Sequence, residues 1–432
     1  MLEKIAVALK GFAKNPVVRS SVFISAVTFA GGMVNFAFQI VMSRVMDPKE
    51  YGIFIPLLSL SMIAGLPAVA IQTVMVKDMA DLAHRGDFAT LRAYFKRVFS
   101  IVIGAGVFLT AICIAATPLF MDNLHVSYAP AFILVFLKVF LDIAIAPLNG
   151  LLQARERFHV MAVNIAGGAL VKFIAGVILV VLAKHYIGGL AGILVSSAAV
   201  LVVAAFDALR FRKVLREAGG VADASKLDLA RIGKSFLHVI VTIGAYQLLT
   251  QLDTLLVRKY LPSLSDIYSP VSILGKASFF IATALSVVLL PAMAKDRNNY
   301  HRSNRSALLV LLLVLAAYAV ALGIGAPFAS KVIFGGRYPG MEAVLPVYGF
   351  MFLPYAAITF MVSYYVVSEK ILYSVALIIG AAVMTLLVRF FHASLVQISL
   401  CVGAVGYAVL AVLILDSVVF HRGKGKTEVA GE

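Results

Sequence analysis

Long stretches of the chain carry no charged residue at all, residues 51–76 and 98–121 among them. Each exceeds the roughly 20 apolar helical residues that cross a hydrocarbon core about 30 Å thick. Moving that length along the chain predicts spans at 19–43, 51–76, 98–119, 128–150, 159–183, 187–209, 235–257, 268–293, 306–328, 344–367, 371–389 and 394–416. Apolar and polar positions do not alternate strictly over ~10-residue units, so the pattern predicts twelve helices and disfavours a barrel. Between the first two spans lies "SRVMDPKEYG" (43–52), where Pro48 and Gly52 shape a tight elbow and Arg44 can reach the headgroup layer.

The longest polar segment, 209–235, follows the sixth span and divides the chain into two six-helix halves. The expected organisation is an amphipathic segment 1–16, a lobe 17–209, a linker 210–234, a second lobe 235–417 and a tail 418–432. The opening motif recurs in the second half. "QIVMSR" (39–44) matches "DTLLVR" (253–258), Tyr51 matches Tyr268, and "MVKD" (75–78) matches "MAKD" (293–296). Three matches in order at nearly constant spacing indicate a repeat. An even number of crossings per half makes the repeat parallel, with its axis along the membrane normal.

Composition agrees, at 62% hydrophobic, 13% charged and a mean hydropathy of +0.99. A net charge of +16 would point to nucleic acid in a soluble protein, but here the placement of Lys and Arg decides. With the N-terminus in the cytoplasm, 26 of the 37 fall in cytoplasmic segments, 8 on the other side and 3 inside spans. Both termini are therefore expected in the cytoplasm, and no nucleic-acid partner is needed. In residues 1–16, Leu2, Ile5, Leu9 and Phe12 share one helical face, with Lys4, Lys10 and Lys14 mostly on the other. That segment reads as an interfacial helix on anionic lipid or as a surface tail, and no cleavable signal peptide is expected. Cys113 and Cys401 sit in apolar spans without metal-ligand spacing. The chain has no Trp, so interfacial anchoring falls to Tyr, Lys and Arg.

The "MDPKEYG" elbow, together with "QLDTLLVRKYL" before "IYSPVSILGKASFFIATALSVVLLPAMAK", resembles the polysaccharide-transporter branch of the multidrug/oligosaccharidyl-lipid/polysaccharide (MOP) exporter superfamily. Wzx-type O-antigen and exopolysaccharide flippases belong to that branch. The likeness in span count and linker covers nearly the whole chain. The resemblance implies an all-α integral membrane protein with two parallel six-helix lobes around a central cavity that opens alternately to each side. It places the chain in the cytoplasmic (inner) membrane, with O-antigen, lipopolysaccharide or exopolysaccharide assembly as context.

Ionisable groups at membrane depth are costly and count as functional candidates. Lys138, Lys172 and Lys276 are in-span cations expected to line a wet cavity and attract an anion. Each has a competing reading. Asp142 lies four residues after Lys138, so the two can neutralise each other. Lys172 has no carboxylate within a turn and only Asn164 two turns back, which favours the cavity. Lys276 is near enough to the outer face to snorkel. Asp253, with Gln251 and Gln247 beside it, reads as a proton or sodium coupling site, with Asp142 as a further candidate; a pair with Arg258 or with an in-facing lysine of another helix is the structural alternative. Asn35, Gln39, Arg44 and Arg258 are further candidates for lining the cavity. Asp207 and Asp416, at cytoplasmic helix ends, are expected to be solvated.

No Walker loop is present, and the eight histidines are scattered without metal spacing. The largest outer loop, near 329–343, is short for an enzyme of the polymerase or ligase kind. The expected function is a secondary transporter that flips a lipid-linked diphosphate oligosaccharide, with no cofactor and with Na+ or H+ coupling. Its expected partners are that substrate, membrane lipids and other polysaccharide-assembly proteins. A MATE-like drug/cation antiporter is the alternative, and a membrane polymerase or ligase a weaker one.

Overall fold

A computed structural model describes residues 16–217, 229–285, 300–368 and 371–428. The amphipathic segment, the middle of the linker and "MAKD" lie outside the described residues. The described chain is helical almost throughout. Eleven helices are long and apolar enough to cross a membrane, and a pair bent by 60° makes a twelfth. We number them α1 (Pro16–Val45), α2 (Pro48–His84), α3 (Phe88–Ala115), α4 (Ala129–Ala154), α5 (Phe158–Ala183), α6 (Tyr186–Glu217), α7 (Leu229–Tyr260), α8 (Pro262–Leu285), α9 (Tyr300–Ile324 with the bent piece Ala326–Ile333), α10 (Met341–Ser368), α11 (Ile371–Phe390) and α12 (Leu395–Glu428). Leu182, Phe390 and Ile324 are 75%, 73% and 79% exposed, which only an apolar solvent tolerates on this scale. The chain is a multi-pass membrane protein.

The elbow forms as its residues dictate. Asp47 caps α2 by accepting from the Lys49 N–H at 3.0 Å, and Pro48 occupies the first turn, where its missing N–H costs nothing. Among the described residues, three spans are interrupted. Gly65 ends the first piece of α2 (Pro48–Ala64), and Leu66-Pro67 starts the second (Leu66–His84). A π turn, Val163–Gly167, widens α5. The predicted span 306–328 bends at Gly325, and its continuation, Ala326–Ile333, takes up part of the expected loop 329–343.

Contacts gather the chain into two units. One comprises 1–42, 67–117 and 129–237; the other comprises 43–66, 118–128 and 238–432. The first piece of α2 and the short helix Thr117–Leu124 thus pack mainly with the second unit, although they belong to the first half of the sequence.

The first unit is built on backbone contact between α5 and α6. A Cβ on Gly192 would stand 2.3 Å from the Gly176 Cα, and one on Gly188 would stand 2.3 Å from the Leu179 carbonyl oxygen. Small residues permit this approach, and dispersion then acts along the whole seam. In the second unit α10 forms the core, with 72% of its apolar stretch buried, against 17% for α5.

Asp207 corrects one sequence expectation. It is 7% exposed and accepts from Arg155 and Arg157 at 3.0 Å each, so it is paired rather than solvated. Arg155 also lies 3.4 Å over the Phe211 ring. The short α4–α5 turn supplies both arginines within three residues, which lets a buried carboxylate be neutralised.

Gly192→Ala should strip the first unit of its closest packing. The expected result is a melting temperature several degrees lower, or loss of monodisperse protein in detergent. Gly104→Ala, where an added Cβ meets nothing within 4 Å, should leave both unchanged.

Candidate functional site: polar clusters at membrane depth

The first unit holds one cluster on α4, α5 and α6. Lys138 Nζ lies 2.5 Å from Asp142 Oδ2, and Ser197 donates to Asp142 Oδ1 at 3.3 Å. The i,i+4 spacing on α4 creates the pair locally. Lys172, one helix over, has no ion pair among the described residues. Its ammonium stands 5.0 Å from the centre of the Phe38 ring, and the Lys138 charge acts on it. A ring face is worth only about 0.5–2 kcal/mol to a cation, less than a carboxylate would supply. Two ammonium groups with one carboxylate leave a net positive charge in the unit's interior.

Nearer the α4–α5 turn, the π turn of α5 presents Asn164. Its side chain donates to Asn149 Oδ1 at 3.1 Å, while its own buried Oδ1 has no partner. Asn35 and Gln39 are part-buried on α1, whose Phe38 packs on Gly176.

The second unit holds a tighter cluster. Asp253, 1% exposed, accepts from Lys276 at 3.0 Å on Oδ1, and from Tyr268 at 3.1 Å and Tyr348 at 2.7 Å on Oδ2. Lys276 also donates to Gln251 Oε1 at 3.3 Å, and Gln251 Oε1 accepts from Ser59 at 3.1 Å. Ser59 in turn accepts from Thr254 at 2.8 Å. Both carboxylate oxygens are therefore engaged, and charge is balanced inside the cluster. Lys276 does not snorkel: it turns inward to Asp253, so of the two partners that the sequence offered for this carboxylate, the in-facing lysine of another helix is the one present and Arg258 is not.

Both arginines of the repeated motif go elsewhere. Arg44 donates through Nε to the Ile333 carbonyl at 2.7 Å and through Nη2 to that of Val332. Arg258 donates to the carbonyls of Leu124 at 2.8 Å, His125 at 2.7 Å and Pro262 at 3.1 Å. Tyr338 donates to the Ser43 carbonyl at 2.6 Å, and burial pushes its phenol above the usual 10, so it remains a donor at any ordinary pH. These contacts form a rim of the second unit at its helix ends.

The structure thus brings together Asp253, Gln251 and Lys276 in one cluster, and Lys138, Asp142 and Lys172 in another. Sequence reasoning missed Tyr268, Tyr348 and Ser59 as carboxylate and amide partners, and also Ser197 and Asn149. A tyrosine or serine in an otherwise apolar helix was the available signal.

No family model matches the chain, and no curated protein matches it in sequence. Solved structures do match in shape. An inward-facing multidrug resistance MATE family transporter of the MOP superfamily superposes with a TM-score of 0.67 at 13% identity, over 93% of this chain and 99% of that one. The lipid II flippase MurJ, in an inward closed conformation, gives 0.69 at 14% identity, over 91% of this chain and 87% of that one. An outward-facing MATE family transporter gives 0.60 at 14%, over 94% and 96%. The chain has the twelve-helix, two-lobe fold that these transporters share.

Lys276→Met should leave the Asp253 carboxylate buried without its counter-charge, at a cost of about 3–5 kcal/mol. Denaturation in detergent should show that loss. The double variant Lys276→Met/Asp253→Asn should recover much of it; a double variant as unstable as the sum of the singles would refute the pairing energetics.

Proposed function

We propose that this protein is a secondary transporter of the flippase kind, moving a lipid-linked diphosphate oligosaccharide across the cytoplasmic membrane by alternating access. Both termini lie in the cytoplasm in this reading, following the basic bias of the connecting segments. The supporting observation is the net positive charge around Lys172. Desolvating a diphosphate without cationic partners is prohibitively costly, and an ammonium lacking a carboxylate is the group that offsets it. Lys138, whose side chain is 22% exposed, can share that load with Asp142 beside it. Asn35 and Gln39, on the helix that carries Phe38, supply polar contacts for sugar hydroxyls. O-antigen or exopolysaccharide repeats are the substrate class that the sequence resemblance implies.

A MATE-like antiporter of cations is the competing reading, and the fold does not separate the two, since TM-scores of 0.67 and 0.69 come from one of each. The placement of charge supports the flippase reading. A cationic drug requires a carboxylate to receive it, yet Asp142 and Asp253 each already hold a lysine ammonium. That arrangement favours an anionic substrate. Coupling to Na+ or H+ at Asp253, Gln251 or Asp142 belongs to the same proposal, and an arriving cation would have to displace the resident ammonium.

Charge reversal tests the assignment. Lys172→Glu should reduce polymer export in cells at least about 100-fold while leaving folded protein in the membrane, and Lys172→Arg should retain most export. Unchanged export by Lys172→Glu removes Lys172 from the site.

A further inference from the structure

The arginines of the repeated motif end on helix termini, and they do so reciprocally. Arg44 closes α1 in the first half of the sequence and grips Val332 and Ile333, the last carbonyls of the bent piece of α9 in the second half. Arg258 closes α7 in the second half and grips Leu124 and His125, at the end of the short helix after α3 in the first half. In the repeat α1 corresponds to α7 and α3 to α9, so each contact is the counterpart of the other. Helix C-termini leave carbonyls unsatisfied and carry the negative end of the dipole, which suits a guanidinium fork.

Neighbouring contacts reinforce the rim. Arg337 donates to the Arg44 carbonyl, and Ser265 donates to the Gly52 carbonyl at 2.6 Å, where α8 crosses α2. Gly52 is obligatory there, since a Cβ would stand 2.6 Å from the Asp266 nitrogen. All of these residues lie in the second unit.

We propose that Arg44 and Arg258 are a matched pair of latches that hold this rim closed, and that both release when it opens; they are gating residues rather than substrate ligands. The inference rests on the transporter reading only in requiring a rim that opens. The chemistry suits a reversible latch. The gripped groups are neutral carbonyls near a membrane surface, so water and lipid headgroups can satisfy both sides after release. The two latches differ in readiness: Arg44 is exposed, whereas Arg258 is 8% exposed. Arg44 therefore lets go first, and Arg258 holds until water enters behind it.

Cysteine accessibility tests this. In a Cys113→Ser/Cys401→Ser background, Ser269→Cys places a thiol on α8 at a position 1% exposed. A membrane-impermeant maleimide applied outside intact cells should label it slowly. Arg44→Gln/Arg258→Gln should raise that rate at least about tenfold in protein that still elutes as a single folded peak, with Arg44→Gln alone having the smaller effect. An unchanged rate in the double variant overturns the proposal. A second measurement uses Arg44→Cys/Ile333→Cys joined by a short, reducible bis-thiol linker. Bridging should abolish transport and reduction should restore it, whereas full transport while bridged overturns the latch. A wrong substrate assignment would leave the labelling result intact, so the two readings fail separately.

Discussion

Charge at membrane depth has to be compensated, and this constraint organises the interior of the protein. Insertion costs at least about 2.5–3.5 kcal/mol for a lysine or aspartate at mid-bilayer, and breaking a buried pair by removing one partner costs more. The chain answers that cost in graded ways. Asp253 receives an ammonium and two phenols, so its cluster is closed and neutral. Asp142 receives one ammonium and a hydroxyl while remaining partly open. Lys172 receives, among the described residues, only an aromatic face. That gradient runs from a carboxylate with both oxygens engaged to an ammonium with no ion pair among the described residues.

The same logic extends to the ends of the helices. Asp207 is neutralised by two arginines from a turn three residues long. Arg44 and Arg258 donate to backbone carbonyls, which bind more weakly than carboxylates and exchange readily with water. Backbone seams such as Gly176 against Gly192 pack the first unit closely without using charge.

Much of this could be read from the sequence, because bilayer thickness imposes a length that runs such as 51–76 display directly. The i,i+4 pair of Lys138 and Asp142 was legible for the same local reason, and so was the isolation of Lys172. Long-range partners were not. Tyr348 lies 95 residues from Asp253, and Val332 lies 288 from Arg44; no local spacing encodes such meetings. The breaks were only half legible. Gly65-Leu66-Pro67 and Gly325-Ala326-Pro327 carry the residues that end and restart helices, but a hydropathy window averages over them. The repeat pointed to Arg44 and Arg258 as equivalent, but not to the carbonyls that each would find.

The most direct test of the central claim is to observe the lysine ammonium groups themselves. Reductive 13C-dimethylation, with signals assigned through Lys172→Arg and Lys276→Arg, would report each site by NMR during titration with inorganic pyrophosphate. The account predicts that the Lys172 resonance shifts saturably while that of Lys276, enclosed with Asp253, stays in place. A titration that moves Lys276 and leaves Lys172 unchanged would contradict it.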